Sequence, residues 1–204
     1  MAQAMGFYTD TTVCIGCKAC QVACHQWNGL PAELAEQPTA TRPGKSLPIT
    51  GNSYDNTGSF SDVNWRHVKF IEQSARPDRS DLRWLMMSDV CKHCVNAPCL
   101  EVCPTASIQF GPIEDLKKRA QQRVADLKAT GQTKAQLYGA DERILGGLNS
   151  FYLLVDEPET YGLPRHPQLP SRSVRASSLF SIGSAILLGL AALLSCRRRG
   201  EETE

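Results

Sequence analysis

The sequence predicts an α+β domain built around two groups of cysteines, interrupted by an inserted loop and hairpin, with one apolar helix at the C-terminal end. Three observations carry this. The first is the run Cys14-Ile-Gly-Cys17-Lys-Ala-Cys20-Gln-Val-Ala-Cys24, spaced C-x2-C-x2-C-x3-C. The second is Cys91-Lys-His-Cys94-Val-Asn-Ala-Pro-Cys99-Leu-Glu-Val-Cys103-Pro104, spaced C-x2-C-x4-C-x3-C-P. The third is the uncharged stretch from Leu179 to Ser195.

The two groups hold eight of the nine cysteines, and their spacing suits two 4Fe-4S clusters. A cubane offers four iron corners, each bound by one thiolate. Three cysteines on a tight loop reach three corners of one cube, and the fourth, three residues on, ligates the other cube. Gly16 relieves the backbone where the loop curls, and Ala19 and Ala23 keep bulk away from the cube. Pro104 is the punctuation of the bacterial ferredoxin run, which makes the expected domain ferredoxin-like. The expected pairing is crossed. Cluster A takes Cys14, Cys17, Cys20 and Cys103, and cluster B takes Cys91, Cys94, Cys99 and Cys24.

Other uses of these thiols fit less well. A structural zinc site on Cys14, Cys17, Cys91 and Cys94 leaves the other four without a role. A disulfide framework is not needed by a chain of this length, and thiols this close in sequence pair poorly. His25 and His93 read as solvent-facing or hydrogen-bonded residues rather than ligands. Lys18 and Lys92 lie inside the ligand loops and either raise the cluster potential or are simply solvated.

At 204 residues and 22.4 kDa the chain has room for one globular domain with appendages. A formal net charge of +1 gives no reason to expect a nucleic-acid partner. The first residues contain neither a basic n-region nor an apolar h-region, so no secretory signal peptide is expected there. The domain reading is a cluster domain over 1–130 with 28–90 inserted, an extended tail over 131–173, and an anchor over 174–199.

Along the chain, residues 9–13 are expected to form a brief strand leading into the first ligand loop. A helix carrying Val22, Ala23 and Cys24 follows and ends near Asn28-Gly29. Residues 28–62 are rich in Pro, Gly, Ser, Thr and Asn without period, which is the composition of an irregular surface loop, or of one that orders against a partner. The apolar runs Val63–Ile71 and Leu82–Met87 flank the turn Arg76–Asp81 and predict a β-hairpin, with Trp65 and Trp84 as packing residues. Residues 106–111 read as a short strand. Pro112 then opens a helix whose apolar stripe is Ile113, Leu116, Ala120, Val124 and Leu127, closed by Gly131. Lys117, Lys118, Arg119 and Arg123 fall largely off the stripe, giving a solvated basic face or a contact for an acidic partner. Phe151–Val155 is a strand, and prolines recur from Pro158 to Pro170 as in a polyproline-like spacer.

The seventeen uncharged residues from Leu179 to Ser195 would rise roughly 26 Å as a helix. This is at the short end for a bilayer core of about 30 Å, and Arg175 and Arg197 can snorkel outward to extend it. A buried soluble helix is the alternative. Gly183, Gly189 and the Ala and Ser residues suit close packing with a neighbouring membrane helix. Arg165, Arg172 and Arg175 on one flank equal Arg197, Arg198 and Arg199 on the other in number, and the local density of the latter places the C-terminus on the cytoplasmic side by the positive-inside rule. The expected protein is single-pass in the inner (plasma) membrane, with its cluster domain periplasmic and exported alongside a partner. Cys196 is read as a plain thiol.

The runs CIGCKACQVACHQWN at 14–28, CKHCVNAPCLEVCPT at 91–105 and FYLLVDEPETYGLP at 151–164 resemble the iron–sulfur (beta) subunit of respiratory formate dehydrogenases, and so does the single terminal helix. The resemblance implies an electron-transfer subunit of anaerobic respiration that is not itself catalytic. Such subunits carry electrons from a molybdenum or tungsten pterin catalytic subunit, where formate is oxidised, to a membrane cytochrome b that reduces quinone. It also implies that Cys14, Cys17, Cys20, Cys24, Cys91, Cys94, Cys99 and Cys103 are cluster ligands. This sequence departs from the family in having two cysteine groups where the family has four. After Cys103-Pro104-Thr105 it continues as the family does after its fourth group, so the chain reads as internally shortened. Rival readings are the electron-transfer subunit of another molybdopterin oxidoreductase or a hydrogenase, a non-conducting structural or assembly protein, and a zinc-binding module.

Overall fold

The computed structural model describes residues 3–30, 60–90, 94, 96–167, 178 and 180–192. The chain divides into two units, Met1–Arg165 and His166–Glu204. In the first unit, strand β1 (Met5–Asp10) leads into helix α1 (Ala19–Trp27). Strands β2 (Arg66–Gln73) and β3 (Arg83–Val90) follow, then the short helix α2 (Pro98–Glu101), strand β4 (Ile108–Pro112) and helix α3 (Ile113–Ala129). Strands β5 (Gln136–Tyr138) and β6 (Ser150–Leu154) and a 3-10 turn at Pro158–Tyr161 complete it.

The four-stranded sheet has the order β4-β1-β6-β5. β1 pairs antiparallel with β4, with Phe7 opposite Phe110, and parallel with β6, with Tyr8 opposite Phe151. β1 is therefore central and buried on both faces, as its MGFYTD composition allows. Its side chains alternate between two cores. Tyr8 joins the larger core with Leu116 and Ala120 of α3 and Phe151 and Leu153 of β6. Phe7 joins the smaller one with Cys20, Cys99, Val68 and Ile108. The thiols thus sit on the face of the sheet away from α3.

The apolar stripe of α3 is as the sequence indicates. Ile113, Leu116 and Ala120 are buried, and Val124 and Leu127 pack against the same core. The helix ends at Thr130, and Gly131 follows at φ 94, a backbone conformation glycine adopts without cost. The basic residues beside the stripe are largely engaged within the chain. Arg123 bonds Asp10 at 3.2 Å, Arg119 bonds Gln109 at 2.6 Å, and Lys117 pairs with Glu114 at 3.2 Å. The expected hairpin is present as β2 and β3, with Val68 opposite Ser88 and Phe70 opposite Met86.

Three expectations need correction. The first strand is Met5–Asp10 rather than 9–13, because the Asp10 carboxylate accepts from the Thr12 N–H and hydroxyl at 2.9 and 2.6 Å and turns the chain out of the sheet. Trp65 precedes β2 and is 39% exposed, so it is no core packing residue; Arg66 is buried instead. The reading of 131–173 as an extended tail fails over 131–165, which belongs to the compact first unit. There β5 and β6 extend the sheet, Leu153 and Leu154 are fully buried, and Tyr161 fills the core. These apolar side chains release more free energy inside than a solvated spacer could.

The expected C-terminal span over 174–199 is described only in part. Residues 180–192 are helical, and Phe180, Ile182, Ile186, Leu187, Leu188 and Leu190 are exposed on them. Among the described residues no helix is long and apolar enough to cross a membrane. The rest of 174–199, with Cys196 and the three arginines, lies outside the described residues, as do residues 31–59 of the expected loop.

Candidate functional site

The first ligand loop leaves β1 through the Asp10 turn and enters α1 at Lys18. Two residues in it have positive φ, Gly16 at 67° and Lys18 at 61°. The curl at Gly16 brings the loop against the hairpin. A Cβ there would lie 2.6 Å from Phe70 Cε1 and 2.9 Å from Met86 Sδ. The Lys18 ammonium stands 5.6 Å from the centre of the Phe70 ring.

This geometry places Cys14, Cys17 and Cys20 around one cleft, and Cys103, from the second motif, lines the same cleft with Thr105 and Ser107. The sulfurs differ in setting. Burial pushes the Cys14 thiol up, against a hydrogen bond from the Gly16 N–H. Burial also acts to raise the Cys103 thiol. It is outweighed there by the N–H groups of Ile108, Ser107 and Thr105 and by the Thr105 hydroxyl, which hold this thiol below its usual value. Thr105 Oγ1 lies 3.9 Å from Cys103 Sγ.

The second group is only partly described. Cys91, Lys92 and His93 lie outside the described residues. Cys94 and Cys99 are electrostatic neighbours. Cys99 opens α2 behind Pro98 and is 5% exposed. Cys24 lies on α1 at the same low exposure, with Asn28 Nδ2 3.7 Å from its sulfur. Burial pushes the Cys99 thiol up, and the Arg66 guanidinium acts in the opposite direction.

The donor set fits iron–sulfur clusters better than a single ion. Among the described residues no three His, Cys, Asp or Glu side chains converge on a point that could hold one metal ion. Cys14, Cys17, Cys20 and Cys103 line the first cleft together, which is the number of thiolates that one cubane takes. Amide donors already aimed at Cys14 and Cys103 would stabilise their thiolate forms.

Two residues at the sulfurs were not legible as site residues. Arg66, 2% exposed, donates from Nη1 to Ser88 Oγ at 2.7 Å and from Nη2 to Cys99 Sγ at 2.8 Å. Ser88 is also buried and lies 3.3 Å from Cys20 Sγ.

Residues 13–107 match the family model described as a 4Fe-4S dicluster domain. The chain is 28% identical over 230 aligned positions to the formate dehydrogenase iron-sulfur subunit of Haemophilus influenzae, covering 78% of this chain and 68% of that protein. It is 27% identical over 230 positions to the formate dehydrogenase-O iron-sulfur subunit of Escherichia coli, covering 78% and 71%. Over 97 positions it is 34% identical to the formate dehydrogenase subunit beta of Megalodesulfovibrio gigas, covering 46% and 36%. The 230-position alignments take up only 78% of a 204-residue chain, so those relatives carry internal segments that this chain lacks.

Proposed function

The chain is a relative of formate dehydrogenase iron–sulfur subunits with a 4Fe-4S dicluster domain, and from that premise we propose that it is the electron-transfer subunit of a formate-oxidising complex. It accepts electrons from a molybdenum or tungsten pterin catalytic subunit and passes them toward a membrane cytochrome b and quinone. The observation that carries the cluster reading is the meeting of Cys103 with Cys14, Cys17 and Cys20 at one cleft across more than 80 residues of sequence. Two 4Fe-4S clusters, when bound, supply the one-electron centres. The protein's residues do the rest. Cys14, Cys17, Cys20 and Cys103 hold cluster A, and Cys91, Cys94, Cys99 and Cys24 hold cluster B. The core of Phe7, Val68 and Ile108 beside the thiols keeps water from them.

The exposed apolar residues of the helix over 180–192 support a membrane anchor. Arg197–Arg199 support a cytoplasmic C-terminus and a periplasmic cluster domain.

The test is a quantitative iron, acid-labile sulfide and EPR spin count on full-length protein purified without oxygen. About eight irons and eight sulfides per chain are expected. Colourless, iron-free protein, or one zinc per chain in place of iron, overturns the proposal. Co-purification with the complex identifies the catalytic partner.

A further inference from the structure

Arg66 poses an electrostatic question that the fold itself does not answer. Its guanidinium is buried and permanently charged, and a buried charge is costly unless an anion faces it. Among the described residues it has no carboxylate partner; its two bonds go to Ser88 Oγ and Cys99 Sγ. Ser88 is neutral, so among the described residues the group placed to supply the counter-charge is the sulfur of Cys99 as a cluster ligand. Ser88 is constrained in turn. A guanidinium only donates, so the Ser88 oxygen accepts from Arg66; a metal-bound Cys20 thiolate has no proton to give, so in the loaded protein the Ser88 O–H donates to Cys20 Sγ, 3.3 Å away. The result is a continuous buried chain from Cys99 through Arg66 and Ser88 to Cys20. By the ligand reading above, Cys99 and Cys20 belong to different clusters.

We propose that Arg66 and Ser88 form a donor bridge that tunes both clusters, raising the potential of the one held by Cys99 by more than that of the one held by Cys20. This rests on the cluster reading proposed above. Reduction adds one electron, and so one unit of negative charge, to a cluster and its sulfurs. A hydrogen-bond donor at a ligand sulfur therefore favours the reduced form and raises the potential. Arg66 brings a full charge in a low-dielectric setting, whereas Ser88 brings only a hydroxyl dipole. The larger of the bridge's two shifts thus falls on the Cys99 cluster. A pterin-dependent catalytic subunit or a chemical reductant supplies the electron.

The experiment is an EPR-monitored redox titration of the loaded full-length protein and its Arg66→Gln, Arg66→Lys and Ser88→Ala variants. Cys103→Ala, which should remove cluster A, assigns the signals. Arg66→Gln should lower the reduction equilibrium constant of the Cys99 cluster by about tenfold or more, ~59 mV per tenfold for a one-electron couple. The other cluster should stay within about threefold. Ser88→Ala should lower the Cys20 cluster by the larger factor, and Arg66→Lys should keep the Cys99 cluster within about threefold of wild type. Arg66→Gln protein with full iron and both potentials unchanged overturns the bridge. If Arg66→Gln fails to hold iron, Arg66→Lys decides. Loading with a near-wild-type potential supports the charge argument, while loss of iron, or loading with a tenfold drop, overturns it. Iron-free wild-type protein would instead overturn the cluster reading itself, so the two failures are separable.

Discussion

Substituting Gly16 by alanine tests whether the first ligand loop is shaped by its contact with the hairpin. Gly16 has φ 67°, where an L-residue pays about 1–2 kcal/mol. Its Cβ would also meet Phe70 Cε1 at 2.6 Å and Met86 Sδ at 2.9 Å. Met86 can swing aside, but Phe70 is a rigid ring packed against the smaller core, so overpacking adds about 1–3 kcal/mol. The total, about 2–5 kcal/mol, is a large share of the ~5–15 kcal/mol that holds a typical domain together. Gly29 is the internal control. Its φ is 58° and nothing lies within 4 Å of a Cβ there, so Gly29→Ala carries the backbone term alone. The assay is iron release into a chelator across a urea series, on anaerobically loaded protein. With a slope of about 1–3 kcal/mol per molar urea, the midpoint of Gly16→Ala should fall roughly 1 M below that of Gly29→Ala. Cluster A should be lost first, since Cys14 and Cys17 flank the distorted residue. Equal midpoints with full iron in both variants would refute the claim that the Phe70 contact shapes the loop.

Cys103→Ala should leave about four irons per chain and keep the EPR signal of the Cys99 cluster, since a cubane that loses one thiolate is no longer held on this cleft; loss of that signal instead would show that the two motifs do not cross. Gly6→Ala places a Cβ 2.4 Å from the Asn149 carbonyl, which also accepts from the Phe7 N–H at 2.7 Å. Neither backbone can yield, so the variant should lose about 3 kcal/mol or more, read as a collapse of the thermal midpoint. Asp156 gives a pH dependence. Burial tends to raise its carboxyl, but the Lys134 ammonium at 2.7 Å, the Glu157 N–H and the Gln73 amide hold it below the usual carboxylate value. A depressed carboxyl stabilises the fold above the unfolded value of about 3.9, and that stabilisation is lost as pH falls through the folded value. Asp156→Asn should therefore be less stable than wild type at neutral pH, and the gap should close on acidification; thermal midpoints that run parallel from neutral to acid pH would count against this.

The sequence was most legible where structure is local. The stripe of α3 repeats every three to four residues, and its capping glycine lies one turn beyond, so both follow from helical geometry alone. The hairpin pairs neighbours across a short turn. By contrast, β6 finds β1 as a parallel neighbour across more than 130 residues, and no local pattern marks which distant strand will fill that place. This is why 131–165, with its prolines and turns, read as a tail although Leu153 and Leu154 are core residues. Arg66 was missed for a related reason. Charge in a strand ordinarily points outward, and only the assembled hairpin and α2 bring Ser88 and Cys99 within reach of its guanidinium.

What the sequence by itself determined is the chemistry. The identity and spacing of eight cysteines set how many thiolates are offered and in what grouping, because ligand spacing is a property of the chain before it folds. What only the tertiary structure decided is which of those sulfurs share a cleft and what stands beside them. Cys103 joins Cys14, Cys17 and Cys20 because β4 pairs with β1, and a buried cation on β2 meets Cys99 because α2 packs beside the hairpin. The first is a consequence of long-range strand pairing and the second of the hairpin meeting a distant helix, and the free energy of both resides in contacts that no short window of residues contains.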